Sequence, residues 1–210
     1  MQFTFAEVVH TLAQTYGIAD EKRGAFSARL QHLQKLKFPA GTNTGRGRAA
    51  KYDVGHLFLL GVALELGQLG LTPDRAKRVI ESDMHAVAMS AYMVATDRIP
   101  DMDLKFDSPM FLYCDPAVLK NLTKRNDEED WAEATFFYAG LGQVEENFRN
   151  WFTHGAPRMA LFSVSSLVYE ISLEAVKGEA DVPAFYAALA TWASPYIHNQ
   201  VEEEGDGCDS

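Results

Sequence analysis

The side chains grouped closely enough to act together in this chain are cations. Of its 19 lysines and arginines, eleven lie between Glu21 and Ile80: Lys22, Arg23, Arg29, Lys35, Lys37, Arg46, Arg48, Lys51, Arg75, Lys77 and Arg78. Four carboxylates oppose them, so the segment carries a net +7, while residues 81–210 carry −15 within a chain total of −10. The chemistry open to clustered lysine and arginine is non-covalent capture of anions, above all phosphate, through ammonium point charges and planar guanidinium forks. Local rather than net charge governs nucleic-acid binding. Double-stranded DNA is therefore the partner this distribution predicts.

The residue types that perform covalent or metal chemistry are not arranged to do so. His10, His32, His56, His85, His154 and His198 show no HxH or HExxH spacing,. Cys114 and Cys208 form neither a CxxC pair nor a disulfide framework, and Cys114 reads as a small buried hydrophobe in an apolar strand,. Ser163, Ser165 and Ser166 follow an expected strand and precede an expected helix, as in a nucleophile elbow, but the flanking G-x-S-x-G glycines are missing,. The run Asp127-Glu-Glu-Asp130 is explained by the preference of a helix N-terminus for negative charge,. The loop Gly41-Thr-Asn-Thr-Gly-Arg-Gly-Arg-Ala-Ala-Lys-Tyr52 has the glycines of a phosphate loop, yet no GK[ST] ending and no apolar strand before it,. No enzyme, no metal and no cofactor is expected.

Composition sets the frame. The 210 residues, 47% hydrophobic and 23% charged, suffice for one large or two small domains with ample core,. No apolar run is long enough to span a bilayer, and the N-terminus lacks a basic region followed by an apolar one,. A cytoplasmic location follows as an expectation.

The elements that would carry the cations are legible. Phe5, Val8, Val9, Leu12 and Tyr16 share one helical face, with Thr4 and Glu7 as a capping box and Gly17 as a stop,. A second helix is predicted over about Gly24 to Lys37, burying Phe26, Leu30 and Leu33,. Its other side shows Ser27, Ala28, Gln31, His32, Gln34 and Lys35, with no carboxylate. That face suits a major groove, where Gln pairs with adenine and Lys reaches guanine or phosphate; it also suits plain solvation. Pro39 ends this helix, and Gly41, Gly45 and Gly47 permit a hairpin carrying Arg46, Arg48 and Lys51, or a flexible connection,. A leucine-rich helix over about Val54 to Leu69, apolar nearly all round, implies burial on several sides or a subunit contact,. Gly70 stops it, and Thr72-Pro73 opens a short helix on which Arg75, Lys77 and Arg78 read as a solvated cationic face,.

This order of helix, helix, basic glycine loop ending in Arg-x-x-x-Tyr, leucine-rich helix and the junction Leu66-Gly-Gln-Leu-Gly-Leu-Thr72 resembles the MerR-type winged-helix DNA-binding domain over roughly residues 3 to 81. The resemblance implies a helix-turn-helix followed by a wing, and regulators of this type act by distorting promoter DNA.

After Ser82 the pattern changes. Met84 to Thr96 is apolar with a periodicity that fits helix or buried strand,. Met110–Cys114 reads as a strand, Asn126 as the cap of a helix carrying Trp131, Phe136 and Phe137, and Arg158–Val164 as a strand feeding a helix over about Ser165 to Val176. Pro183 opens a last helix with Phe185, Leu189 and Trp192. No heptad repeat persists, so a compact domain for self-association or sensing is expected rather than a coiled coil.

The predicted architecture is α+β and mainly α. It comprises an N-terminal winged helix-turn-helix (1–82), a C-terminal α+β domain (83–200) and an acidic tail (201–210). The predicted function is sequence-specific transcriptional regulation by a homodimer, with any small-molecule effector left open. The DNA-contacting set is Arg23, Ser27, Arg29, Gln31, His32, Lys35, Asn43, Thr44, Arg46, Arg48, Lys51 and Tyr52. The alternative is an adaptor whose basic patch docks an acidic partner protein.

Overall fold

The computed structural model describes residues 1–42, 50–97, 108–114, 136–154, 159–176 and 178–198. Among these the chain forms α1 (Phe5–Thr15), α2 (Arg23–Lys35), α3 (Val54–Gln68), α4 (Pro73–Ser82), α5 (Met84–Thr96), β1 (Met110–Cys114), β2 (Phe137–Gly140), α6 (Leu141–His154), β3 (Ala160–Ser163), α7 (Val164–Ala175) and α8 (Val182–His198). The result is a mainly helical α+β protein with one small antiparallel sheet in the order β2-β1-β3. Leu112 of β1 lies opposite Tyr138 on one side and Phe162 on the other. No helix among the described residues is long and apolar enough to cross a membrane.

Local chemistry sets the helix ends. At the start of α1 the Thr4 amide donates to Glu7 Oε2 at 2.7 Å and the Glu7 amide donates to Thr4 Oγ1 at 3.3 Å, which is the reciprocal capping box the spacing predicts,. The first three helices all stop by the same device, in which an apolar residue donates its amide back to a carbonyl five positions earlier. The bonds are Ile18 to Ala13 (2.8 Å), Phe38 to Leu33 (3.0 Å) and Leu71 to Leu66 (3.0 Å). The residue before each apolar one is left-handed: Gly17 (φ 58°), Lys37 (φ 62°) and Gly70 (φ 98°). Helix α2 therefore ends two residues earlier than predicted. The turn at Lys37 terminates it, and the Phe38–Pro39 pair that follows is buried rather than a mere breaker.

Helix α3 explains its own composition. One flank meets α1, where the Tyr16 hydroxyl donates to the Gly61 carbonyl at 3.1 Å. The other meets α7 and α8. Small residues admit those neighbours: a Cβ on Gly55 would lie 2.2 Å from the Trp192 ring, and one on Gly61 would lie 2.9 Å from Ile171 Cδ1. The predicted boundary at residue 82 falls between α4 and α5, but the packing is continuous across it. One core runs from Val8 and Leu12 through Leu57 and Leu60 to Ile171 and Phe185.

The ambiguous segment Met84–Thr96 is helix α5, whose small residues Ala86 and Ala91 are buried and which packs along α8. Asp83 caps it through Ala86 and also accepts from the Phe136 amide at 2.8 Å. Phe136 and Phe137 are not helical as predicted. Phe137 belongs to β2, and its ring stacks on Tyr113 at 5.6 Å, so cross-strand pairing overrides the local pattern,. The predicted cap Asn126 and Trp131 lie outside the described residues, and α6 is an element the sequence reading did not anticipate. The three serines have structural work. Ser163 caps α7 by accepting from the Ser166 amide at 3.1 Å, and Ser165 accepts from the Met110 amide at 2.9 Å.

Candidate nucleic-acid interface

Helix α2 is held by Phe26, Leu30 and Leu33, all buried, against α1 and α4. Their spacing leaves Gln31, His32 and Lys35 exposed on the opposite side, with Ser27 half-buried at its edge. No carboxylate occurs anywhere on the helix. Arg29 is exposed as well, but it lies next to the apolar face and lines a cleft toward α3 rather than sharing the outward arc of Gln31 and Lys35. Arg23 is turned aside: its Nε lies 2.8 Å from Asp20 Oδ1 and its Nη1 lies 3.3 Å from His10 Nδ1 on α1.

The basic loop is anchored at both ends. Phe3 and Tyr52 form an antiparallel bridge, with amide–carbonyl distances of 2.7 and 3.0 Å. This corrects the reading of Tyr52 as a DNA contact. The residue is only 2% exposed, its ring packs near Phe5 and His56, and its hydroxyl is hydrogen-bonded to Thr42. Burial raises the Tyr52 pKa, with the Thr42 bond opposing, so the phenol stays neutral,. Thr42 is itself buried, and its hydroxyl donates to the Pro39 carbonyl at 2.7 Å. Lys51, beside Tyr52, is exposed. Asn43, Thr44, Arg46 and Arg48 lie outside the described residues.

His56 closes the base of this loop, a role the sequence reading missed. It sits at the third position of α3, and its amide donates to Asp53 Oδ1 at 2.9 Å while its Nδ1 lies 3.0 Å from the Asp53 amide. Nε2 lies 3.0 Å from the Ala40 carbonyl, which can only accept, so Nε2 carries a hydrogen,. One side chain thus joins the residue before Gly41 to the residue after Tyr52. Burial alone would lower the His56 pKa, but the hydrogen bond and charge of Asp53, with the Ala40 carbonyl, outweigh it and raise it,. Burial would likewise raise Asp53, and the His56 and Gly55 hydrogen bonds bring it below the usual carboxylate range. The available signal was the D-x-x-H spacing, a capping-box variant with histidine in the place of glutamate,.

Helix α4 treats its cations differently. Arg75 is 2% exposed, which corrects its reading as a solvated residue. Lys77 pairs with Glu81 at 3.5 Å and Arg78 pairs with Asp74, each one helical turn away,. Arg29, Lys35, Lys37 and Lys51 make no ion pair among the described residues. No group of three or more His, Cys, Asp or Glu suited to a metal occurs there either.

No protein-family model matches the chain, and neither a curated protein nor a solved structure is significantly similar to it.

Proposed function

We propose that this protein is a sequence-specific DNA-binding transcriptional regulator in which residues 1–82 act as a MerR-like winged helix-turn-helix. The observation that carries the reading is the outer face of α2, where Gln31, His32 and Lys35 stand exposed on a helix without carboxylates. In this reading α2 enters the major groove. Gln31, His32 and Lys35 meet base edges, Ser27 and Arg29 lie near the backbone, and Arg46, Arg48 and Lys51 follow phosphate or the minor groove from the loop. Two carboxylates beside these groups are engaged, which supports it: Asp20 pairs with Arg23, and Asp53 accepts from the His56 amide. One head makes few contacts, so the protein acts as a homodimer on an inverted repeat.

Recovery of bound genomic fragments tests the reading. The wild type is expected to enrich discrete sites, and Arg46→Ala/Arg48→Ala to lose most of that enrichment. Affinity for the recovered site should fall by about one log unit per log unit of salt for each phosphate neutralised. A wild type that enriches no discrete site overturns the proposal.

A further inference from the structure

The ends of α1 and α3 shape a second feature, on the opposite edge of α2. Ile18 and Leu71, the apolar residues that follow the left-handed glycines, converge with Phe26 and Leu33 of α2 around an open cleft of about 440 Å³. That volume and lining fall in the range of small-ligand sites, which are mostly apolar with a few placed polar groups. The cation on its wall is Arg29, which makes no ion pair among the described residues. Tyr16 also lines the cleft, but its hydroxyl is engaged by the Gly61 carbonyl, and burial with the neighbouring Glu65 raises its pKa so that it remains a neutral donor. Gly67 also lines the cleft, and an added Cβ there would meet no atom within 4 Å.

We propose that this cleft binds a small amphipathic carboxylate. The apolar chain or ring occupies the Ile18, Phe26, Leu33 and Leu71 walls, and the head group pairs with the Arg29 guanidinium. A guanidinium beside an apolar groove favours this class over a neutral amphiphile, because the planar fork takes both carboxylate oxygens at once. A cationic ligand is disfavoured by repulsion from the guanidinium charge. The inference rests on the cleft alone and goes beyond the DNA reading.

The test is calorimetric titration of octanoate against octanol, with no DNA present, so its outcome is independent of the DNA reading. The wild type is expected to take one octanoate per chain and to bind it at least tenfold more tightly than octanol. Gly67→Leu, whose Cβ meets no atom within 4 Å, should weaken octanoate at least tenfold while its thermal melt is no lower than that of the wild type,. Arg29→Gln should remove the preference for octanoate and leave octanol binding unchanged. Absence of octanoate binding, indifference to Gly67→Leu, or retention of the preference in Arg29→Gln each overturns the proposal. Sedimentation that shows Gly67→Leu splitting a dimer also overturns it, since a second copy then fills the cleft.

Discussion

Helices α2 and α4 look alike in composition and differ in what they offer. Each carries basic residues in a segment of net positive charge. On α2 Arg29, at the edge of the cleft, and Lys35, on the arc of Gln31 and His32, stay exposed without ion pairs among the described residues. On α4 Arg75 is buried, and Lys77 and Arg78 are matched by Glu81 and Asp74. Two carboxylates at i±4 separate a helix that can attract an anion from one that is largely self-neutralised. A count of cations along the chain therefore overstates the positive surface available to an anion.

The largest effect expected within this contrast is on stability. Arg75→Ala removes a long buried stem and should cost about 2–4 kcal/mol in urea unfolding. A loss within the error of the measurement would return Arg75 to the surface and restore the likeness between the helices. Next comes affinity: Lys35→Gln should weaken specific binding about tenfold and reduce the salt slope by about 0.9. Lys77→Gln, on the paired helix, should leave that slope unchanged. Equal effects from the two would erase the distinction.

The anchored loop gives a pH-dependent test. The His56 pKa is raised in the folded state, so its contribution is fully present below the unfolded value of about 6.5 and is lost as pH rises through the higher folded one,. The Asp53 pKa is lowered, so its contribution is present above about 3.9 and is lost as pH falls through the folded value,. The stability difference between wild type and His56→Ala, up to about 1 kcal/mol from the lost pair between the protonated ring and the half-exposed Asp53 carboxylate, should thus be greatest between about pH 4 and 6.5 and shrink on both sides,. A pH-independent difference would mean that the ring acts by packing alone. The smallest effect is the most direct comparison. Asp74→Asn with Glu81→Gln releases Arg78 and Lys77, costs about 0.3–1 kcal/mol of helix stability, and should raise non-specific DNA affinity about twofold. Unchanged affinity would show that α4 lies too far from the DNA to contribute.

Much of the N-terminal region was readable because its signals are local. The Thr4–Glu7 box, the Thr72 cap with Pro73 after it, and the stops at Gly17 and Gly70 each depend on residues within one turn. The apolar face of α2 followed from the spacing of Phe26, Leu30 and Leu33. Lys37 was misread as helical because a lysine in left-handed geometry carries no mark in its residue type. Phe137 was misread because pairing with Tyr113 is a long-range contact. Tyr52 was placed on the DNA surface by its position after a basic loop, whereas the bridge to Phe3 turns it inward.

The sequence by itself determined helices α1 to α4, the caps at Thr4 and Thr72, the carboxylate-free face of α2 and the concentration of positive charge before residue 80. Each is a property of residue type and of separations of a turn or two. Only the tertiary structure decided which of those charges reach solvent. It also decided that α3 carries one core from α1 to α8, and that a cleft opens beside Arg29. Burial depends on which elements meet, and Gly55 accepts the Trp192 ring only because residues 137 positions apart are brought together.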